Sequence, residues 1–387
     1  MNIKKVTLVS IYFILTFQLY LFVDTYAVNI LWWDQWDFFK PLFEDKGYLD
    51  IFMWQHGPYR QGLPFVLMSL IYNVTNWNIR IEAFFMVGIL FFTSLFFSYT
   101  IVRLKKKLSF FDAAVPLMIL SPTFYETIYQ TPNLSHGIFP LFLLSLIAFG
   151  QTFTFRVRII ITTVCGFIAL FTGFGIFAGV MVTIWTVWGT FCTLLSKNYQ
   201  RLIVYAAALL VMTGGYYLFF IGYVFWPAVE CYSFPHNPIY EYFLFMICML
   251  GSYGGFPLKG QLLYLSMGIG FLQISVFIAV FAGVIKRVFI QGDKADASTR
   301  ICLILGGFTL MFMAATAIGR VCLGVTATAH RYLPLLTPAY MALYFYLRQT
   351  SSNNLMRLLL IFLVVGLLLK SLVFSFPFAQ KSLPSMV

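Results

Sequence analysis

The chain has 387 residues, of which 61% are hydrophobic, 20% aromatic and only 10% charged. A soluble domain carries about 25% charged residues, so this chain cannot cover itself with a water-compatible surface. Its net charge of +12 is dispersed rather than gathered into one patch, which speaks against a nucleic-acid partner.

Apolar runs of about 20 residues, the length that spans a bilayer, recur along the whole chain. Basic residues punctuate them: Lys4 and Lys5, Arg103 with Lys105 to Lys107, Arg156 and Arg158, Lys197 and Arg201, Lys286 and Arg287, Lys294 with Arg300, and Arg348 with Arg357. Cytoplasmic loops are enriched in Lys and Arg, so these clusters set a topology. The reading is an all-α, polytopic helical bundle with about eleven spans, within a range of about nine to thirteen. Neither an internal repeat nor a separate soluble domain is visible, so residues 1–387 read as one membrane domain.

In chain order, the run from Val6 to Val23 behind two lysines reads as an uncleaved signal anchor with a cytoplasmic N-terminus. Residues 29–80 form a long outer loop containing a short amphipathic stretch at 63–77, and a second span returns over 81–102. Two short segments follow, 108–121 and 137–150, broken by Pro116 and Pro140; such interrupted helices line cavities rather than lipid. Two spans flank "FTGFGIF", where Gly173 and Gly175 permit a tight turn or a close backbone approach. A seventh span covers 202–225, and 240–260 reads as a re-entrant or interfacial segment. Spans at 261–285, 301–319, 332–347 and 356–376 complete the chain, with the C-terminus outside. The sequons at Asn73 and Asn133 read as chance. The six cysteines form no C-x-x-C pair, so they read as packing residues rather than a disulfide framework or zinc site.

With this topology nearly all acids fall outside: Asp34, Asp37, Glu44, Asp45 and Asp50, then Glu82, Glu126, Glu230 and Glu241. Acidic residues contribute little to orientation, so chemistry is one explanation for their concentration. In a helical turn the spacing of Asp34 and Asp37 puts both carboxylates on one face, and Trp32, Trp33 and Trp36 pin that turn at the lipid boundary. Carboxylates there lose hydration and gain proton affinity, the property of a general base; a wet interfacial loop is the alternative. Late in the chain, Arg320, His330 and Arg331 flank one short outer turn. Arginine near a membrane core faces an anion or a polar cavity, and its planar fork suits phosphate; snorkelling to the interface is the alternative. Glu126 and Gln130 could line the same cavity, and His56 and Arg60 could contact sugar or phosphate. His136, His236 and Lys259 show no partner. No metal box is visible, although Asp34 or Asp37 could hold Mg²⁺ or Mn²⁺ with phosphate oxygens.

These stretches, "WWDQWD", "QHGPYR", "SPTFYETIYQ" and "GRVCLGVTATAHRY", resemble the motifs of bacterial members of the GT-C superfamily of polytopic glycosyltransferases. The resemblance implies a polyprenyl-phosphate-linked sugar donor, a glycan acceptor such as O-antigen or a wall polymer, and inverting transfer on the extracytoplasmic face of the bacterial inner membrane. It implies one of Asp34 and Asp37 as base, with Arg320 and Arg331 on the leaving phosphate. An O-antigen polymerase or ligase and a lipid-linked sugar flippase are the competing readings.

Overall fold

The computed structural model describes residues 3–31, 34–130, 133–227, 229–254, 258, 260–350 and 354–369. Trp32, Trp33, Lys259 and the C-terminal end of the last expected span lie outside the described residues. The chain is almost entirely helical. The first helix is α1, Ile3–Tyr26. The first outer loop holds three short helices, α2 Gln35–Phe38, α3 Lys40–Phe43 and α4 Tyr48–Met53, then a two-stranded hairpin, β1 Gln55–His56 and β2 Tyr59–Arg60. After α5, Gly62–Val74, come α6 Arg80–Lys105, α7 Ala114–Ile119, α8 Phe139–Gly150, α9 Phe155–Leu170 and α10 Ile176–Leu195. The remainder is α11 Tyr199–Phe220, α12 Tyr240–Tyr253, α13 Leu262–Gln291, α14 Ala297–Arg320, α15 Leu333–Thr350 and α16 Asn354–Leu369.

Six helices among the described residues are long and apolar enough to cross a bilayer: α1, α6, α10, α11, α13 and α14. The chain is thus an all-α membrane protein. Helices α5, α8, α9, α12, α15 and α16 run from 12 to 18 residues, near or below the about 20 that a perpendicular crossing needs.

Packing follows the pattern of the apolar residues. In α1, Leu8, Tyr12, Leu15, Leu19, Phe22 and Val23 are buried, a stripe at helical spacing that faces the bundle, while Phe13 and Phe17 stay exposed as lipid contacts. Tyr12 fixes this stripe against α6 by donating to the Ser94 carbonyl at 3.0 Å. Helices α12 and α13 meet backbone to backbone, because a Cβ on Gly270 would lie 2.1 Å from the Ile247 carbonyl oxygen; small residues permit such approach in membranes. Pro140 does not break its segment as expected. It sits in the first turn of α8, where its missing N–H has no helical acceptor to lose.

The two ends of the bundle differ in chemistry. At the end bearing the start of α14, Asp112 is buried and accepts from Tyr344 Oη at 2.5 Å and Arg348 Nε at 3.2 Å. There Arg300, also buried, donates to Gln151 Oε1 at 3.0 Å. Helix α14, 24 residues long or about 36 Å at the helical rise, carries the chain from this end to Arg320.

Candidate functional site

The site is built at the Arg320 end, where the segment between α7 and α8 abandons ordinary helical winding. Glu126–Gln130 and Leu134–Ile138 are π-turns, a wider winding that recurs at functional sites. Three groups hold the second turn. Asn133 Oδ1 accepts from the backbone N–H of Ser135 at 3.0 Å and of His136 at 3.2 Å. The buried Glu82 accepts from the Leu134 N–H at 2.9 Å. Gly173, at φ +45°, brings the "FTGFGIF" turn so close that a Cβ there would lie 2.6 Å from the Ser135 carbonyl oxygen. Only glycine tolerates both conditions.

This winding turns His136 inward. Ser135 Oγ donates to Gln61 Oε1 at 2.5 Å, which orients the Gln61 amide so that Nε2 donates to His136 Nε2 at 3.1 Å. His136 is therefore neutral, with its proton on Nδ1. Burial holds the imidazole well below the usual histidine range, and the neighbouring His56, Arg331 and Arg320 act in the same direction.

The first loop supplies the acids. Asp34 begins α2 and reaches the cavity. Asp37, one turn on, binds His56 Nδ1. The β1–β2 hairpin, with His56 opposite Tyr59, carries His56 to the cavity wall, and Phe38 packs edge-on against the ring at 4.3 Å between centroids. The helical turn expected at this spacing is present, since the Asp34 carbonyl accepts from the Asp37 N–H at 3.1 Å, and the two acids have different partners: Asp34 lines the cavity and Asp37 binds a histidine that lines it. Arg60 is also reassigned. Its guanidinium donates to the carbonyl oxygens of Met53 at 2.5 Å, Phe219 at 2.9 Å and Ile221 at 2.6 Å, so it fastens the hairpin to the end of α11 instead of meeting sugar or phosphate. Burial lowers its proton affinity below the ordinary arginine value.

Arg331 joins the early and late motifs. Its Nη1 lies 3.9 Å from Asp34 Oδ2, and its Nε lies 3.7 Å from Glu126 Oε1. Glu126 Oε2 also accepts from the Arg331 backbone N–H at 2.9 Å. Burial alone would favour the uncharged guanidine, yet Tyr332, Glu126 and Asp34 hold Arg331 charged, above its usual value. Arg320 ends α14 with its guanidinium 5.6 Å from the Tyr332 ring centroid. His330, expected beside these arginines, is not among the cavity-lining residues; its ring packs 5.6 Å from that of Tyr125. The Gln130 side chain lies outside the described residues.

Together these elements enclose a cavity of about 340 Å³, whose wall includes Asp34, His56, His136, Arg320 and Arg331. Its roof is the loop after α11, through Phe225, Trp226 and Tyr232. Two ties secure the roof. Gln55 pairs with the Val224 backbone, accepting from N at 3.2 Å. Cys231 and Cys322, expected to be packing residues, form a disulfide with Cα atoms 5.9 Å apart. Cys165, Cys192, Cys248 and Cys302 are not disulfide-bonded.

Sequence reasoning missed His136, Asn133, Tyr59, Phe174, Thr316 and Tyr332 as cavity residues. The one available signal was Gln61, a polar residue beside the "QHGPYR" stretch with no helical face to serve. As for a divalent cation, Asp34 and Asp37 are committed to different basic partners. No group of three His, Cys, Asp or Glu side chains among the described residues is placed to hold a metal ion. Comparison with protein-family models, curated proteins and solved structures gave no match to this chain.

Proposed function

We propose that this protein is a membrane glycosyltransferase of the GT-C type. It moves one sugar from a polyprenyl-phosphate donor to a hydroxyl of a glycan acceptor, such as O-antigen or a cell-wall polymer, with inversion and outside the cytoplasm. The observation that carries the reading is the convergence of Asp34, Arg320 and Arg331 on one cavity, with Asp34 and Arg331 3.9 Å apart. A carboxylate and two guanidiniums within the reach of a single sugar phosphate are the groups an inverting transfer from phosphate needs.

In the proposed reaction the acceptor O–H gives its proton to the Asp34 carboxylate as its oxygen attacks the anomeric carbon. The bond from that carbon to the phosphate oxygen breaks, and the electron pair leaves with the phosphate. Arg320 and Arg331 meet the charge that develops there, the kind of contribution that is often the largest in catalysis; base assistance adds about 10²- to 10⁴-fold. Asp37 holds the His56 ring against the cavity wall, so His56 positions the acceptor side. Glu126 holds Arg331 by both its backbone and its guanidinium.

Two features support an extracytoplasmic site. Disulfides persist in oxidising compartments, and Cys231–Cys322 ties the loop after α11, part of which lines the cavity, to the segment following α14. The lysine-rich end of α6 belongs with the cytoplasm by the positive-inside bias.

The test supplies purified protein with a panel of radiolabelled polyprenyl-phosphate sugars and acceptor glycan. One labelled residue per acceptor is expected. Transfer of a whole block would identify a polymerase or ligase instead, and no label from any donor would count against transfer.

A further inference from the structure

Below the two arginines the cavity wall carries polar groups that the transfer chemistry does not use. Thr316 stands one turn before Arg320 on α14. It is 5% exposed, and its Oγ1 is buried without a hydrogen-bond partner. Other helical threonines in this chain, Thr93, Thr183 and Thr309, turn the hydroxyl back to the carbonyl four residues earlier; Thr316 does not. Asn133, 9% exposed, spends its Oδ1 on the Ser135 and His136 N–H groups and leaves Nδ2 buried without an acceptor. Both residues line the one cavity. Buried polar groups are ordinarily satisfied, and exceptions call for an explanation. Among such exceptions in the described residues, these two come from separate elements and meet the same space, as does the Oη of Tyr332, so a polar molecule in that space would satisfy Asn133 and Thr316 together.

The rest of the wall describes that molecule. Tyr59 and Phe174 pack with centroids 4.5 Å apart, and Phe174 meets Tyr332 edge to face at 86°, giving an aromatic surface beside the unpaired groups. A pyranose has the matching construction, with C–H faces that lie on aromatic rings and hydroxyl edges that hydrogen-bond. Residues four apart on a helix stand about 6 Å apart, so Thr316 and Arg320 span roughly one pyranose ring between phosphate and far hydroxyl. At about 340 Å³ the cavity lies near the lower end of the roughly 300–1,000 Å³ of ligand pockets, enough for one sugar. Its charged lining residues among those described are Asp34, Arg320 and Arg331. The sole carboxylate stands beside Arg331, so the lower wall offers nothing to a cationic sugar.

We infer that Asn133 and Thr316 form the recognition edge for a single uncharged pyranose, which lies against Tyr59 and Phe174 with its phosphate at Arg320 and Arg331. The donor's chemical class rests on the transferase reading; the subsite itself is tested by binding alone.

The experiment measures equilibrium binding to the purified full chain in detergent. The probes are a short-chain prenyl phosphate and the same phosphate carrying glucose, galactose or the cationic 4-amino-4-deoxyarabinose. At least one neutral hexose is expected to bind about tenfold tighter than the bare phosphate, the size of one or two buried hydrogen bonds. That margin should fall to about twofold or less in Thr316→Val, which keeps shape and loses the hydroxyl. It should fall equally in Asn133→Asp, which keeps the loop-holding Oδ1 and loses the N–H donors. The amino sugar should show no margin. A margin retained in either variant, no margin for either hexose, or tightest binding of the amino sugar overturns the proposal. A margin lost in both variants without any sugar transfer leaves the subsite standing and removes the transferase reading. Transfer by a wild-type protein whose variants keep the margin does the reverse.

Discussion

The guanidinium of Arg331 lies 3.9 Å from Asp34 and 3.7 Å from Glu126, so one late residue gathers carboxylates from two earlier loops. Glu126 is the structural partner, because it also accepts the Arg331 backbone N–H. Asp34 is the more exposed of the two, with 49% of its side chain open against 14% for Glu126, and it is the one that lines the cavity. The two acids therefore differ in duty although they share a base.

Replacing Arg331 separates charge from geometry. Arg331→Ala is expected to lower kcat for sugar transfer by about 10²- to 10³-fold, the cost of removing one donor from a site of developing charge. Arg331→Lys keeps the charge but loses the planar fork, so its kcat should fall between wild type and the alanine variant. Steady-state kinetics with the preferred donor gives the answer; equal rates for lysine and arginine would show that the fork is not used.

Asp37 and His56 form a pair distinct from Asp34. Asp37→Asn should weaken the hold on His56 Nδ1 and lower kcat about tenfold, and His56→Gln should have the same effect without adding to it. Non-additivity marks residues that act as a unit. A double variant whose loss equals the product of the two single losses would contradict this arrangement.

The roof over the cavity depends on Cys231–Cys322. In intact membranes, alkylation before reduction should leave both cysteines unmodified, and peptide mass spectrometry without reductant should find them linked. The double variant Cys231→Ser/Cys322→Ser should raise the donor KM several-fold while membrane insertion stays unchanged. Free, alkylated thiols at both positions in the unreduced protein would contradict the roof as described.

His136 gives a pH signature. Its proton affinity in the folded protein is held well below the histidine range by burial first, then by His56, Arg331 and Arg320. The unfolded chain therefore binds this proton more readily, starting near the ordinary value of about 6.5. Above that pH both states are neutral here and the residue contributes no pH dependence; as pH falls below it, stability is lost toward the folded-state value. The melting temperature in detergent should fall more steeply from pH 7 to 5 for wild type than for His136→Gln. Parallel curves would show that His136 is not held neutral.

The sequence carried some of this arrangement and withheld the rest for physical reasons. The membrane class follows from composition alone, and the gathering of Asp34, His56, Arg320 and Arg331 at one end follows from the side on which their loops emerge. The division of partners between Asp34 and Asp37 did not follow, because their spacing fixes only the helical turn they share, and not the positions of Arg331 and His56, which come from other loops. The π-turns that aim Glu126 and His136 were illegible too, since apolar periodicity does not distinguish them from ordinary winding. Arg60 shows the limit of residue type: a guanidinium suited to phosphate serves carbonyl oxygens equally well, and only the position of Phe219 and Ile221 decides. The disulfide joins cysteines 91 positions apart, a pairing that spacing cannot disclose. Six described helices are long and apolar enough to cross a bilayer, while shorter ones such as α8 and α12 pack against α6 and α13.

The most direct test of the central assignment compares single-turnover sugar transfer by wild type and Asp34→Asn, both purified from membranes and both shown to bind the donor. Wild type should transfer one sugar, and the variant should do so at a rate at least about 10²-fold lower, the lower range for loss of a general base, with donor affinity retained. Equal rates from the two proteins would contradict that assignment.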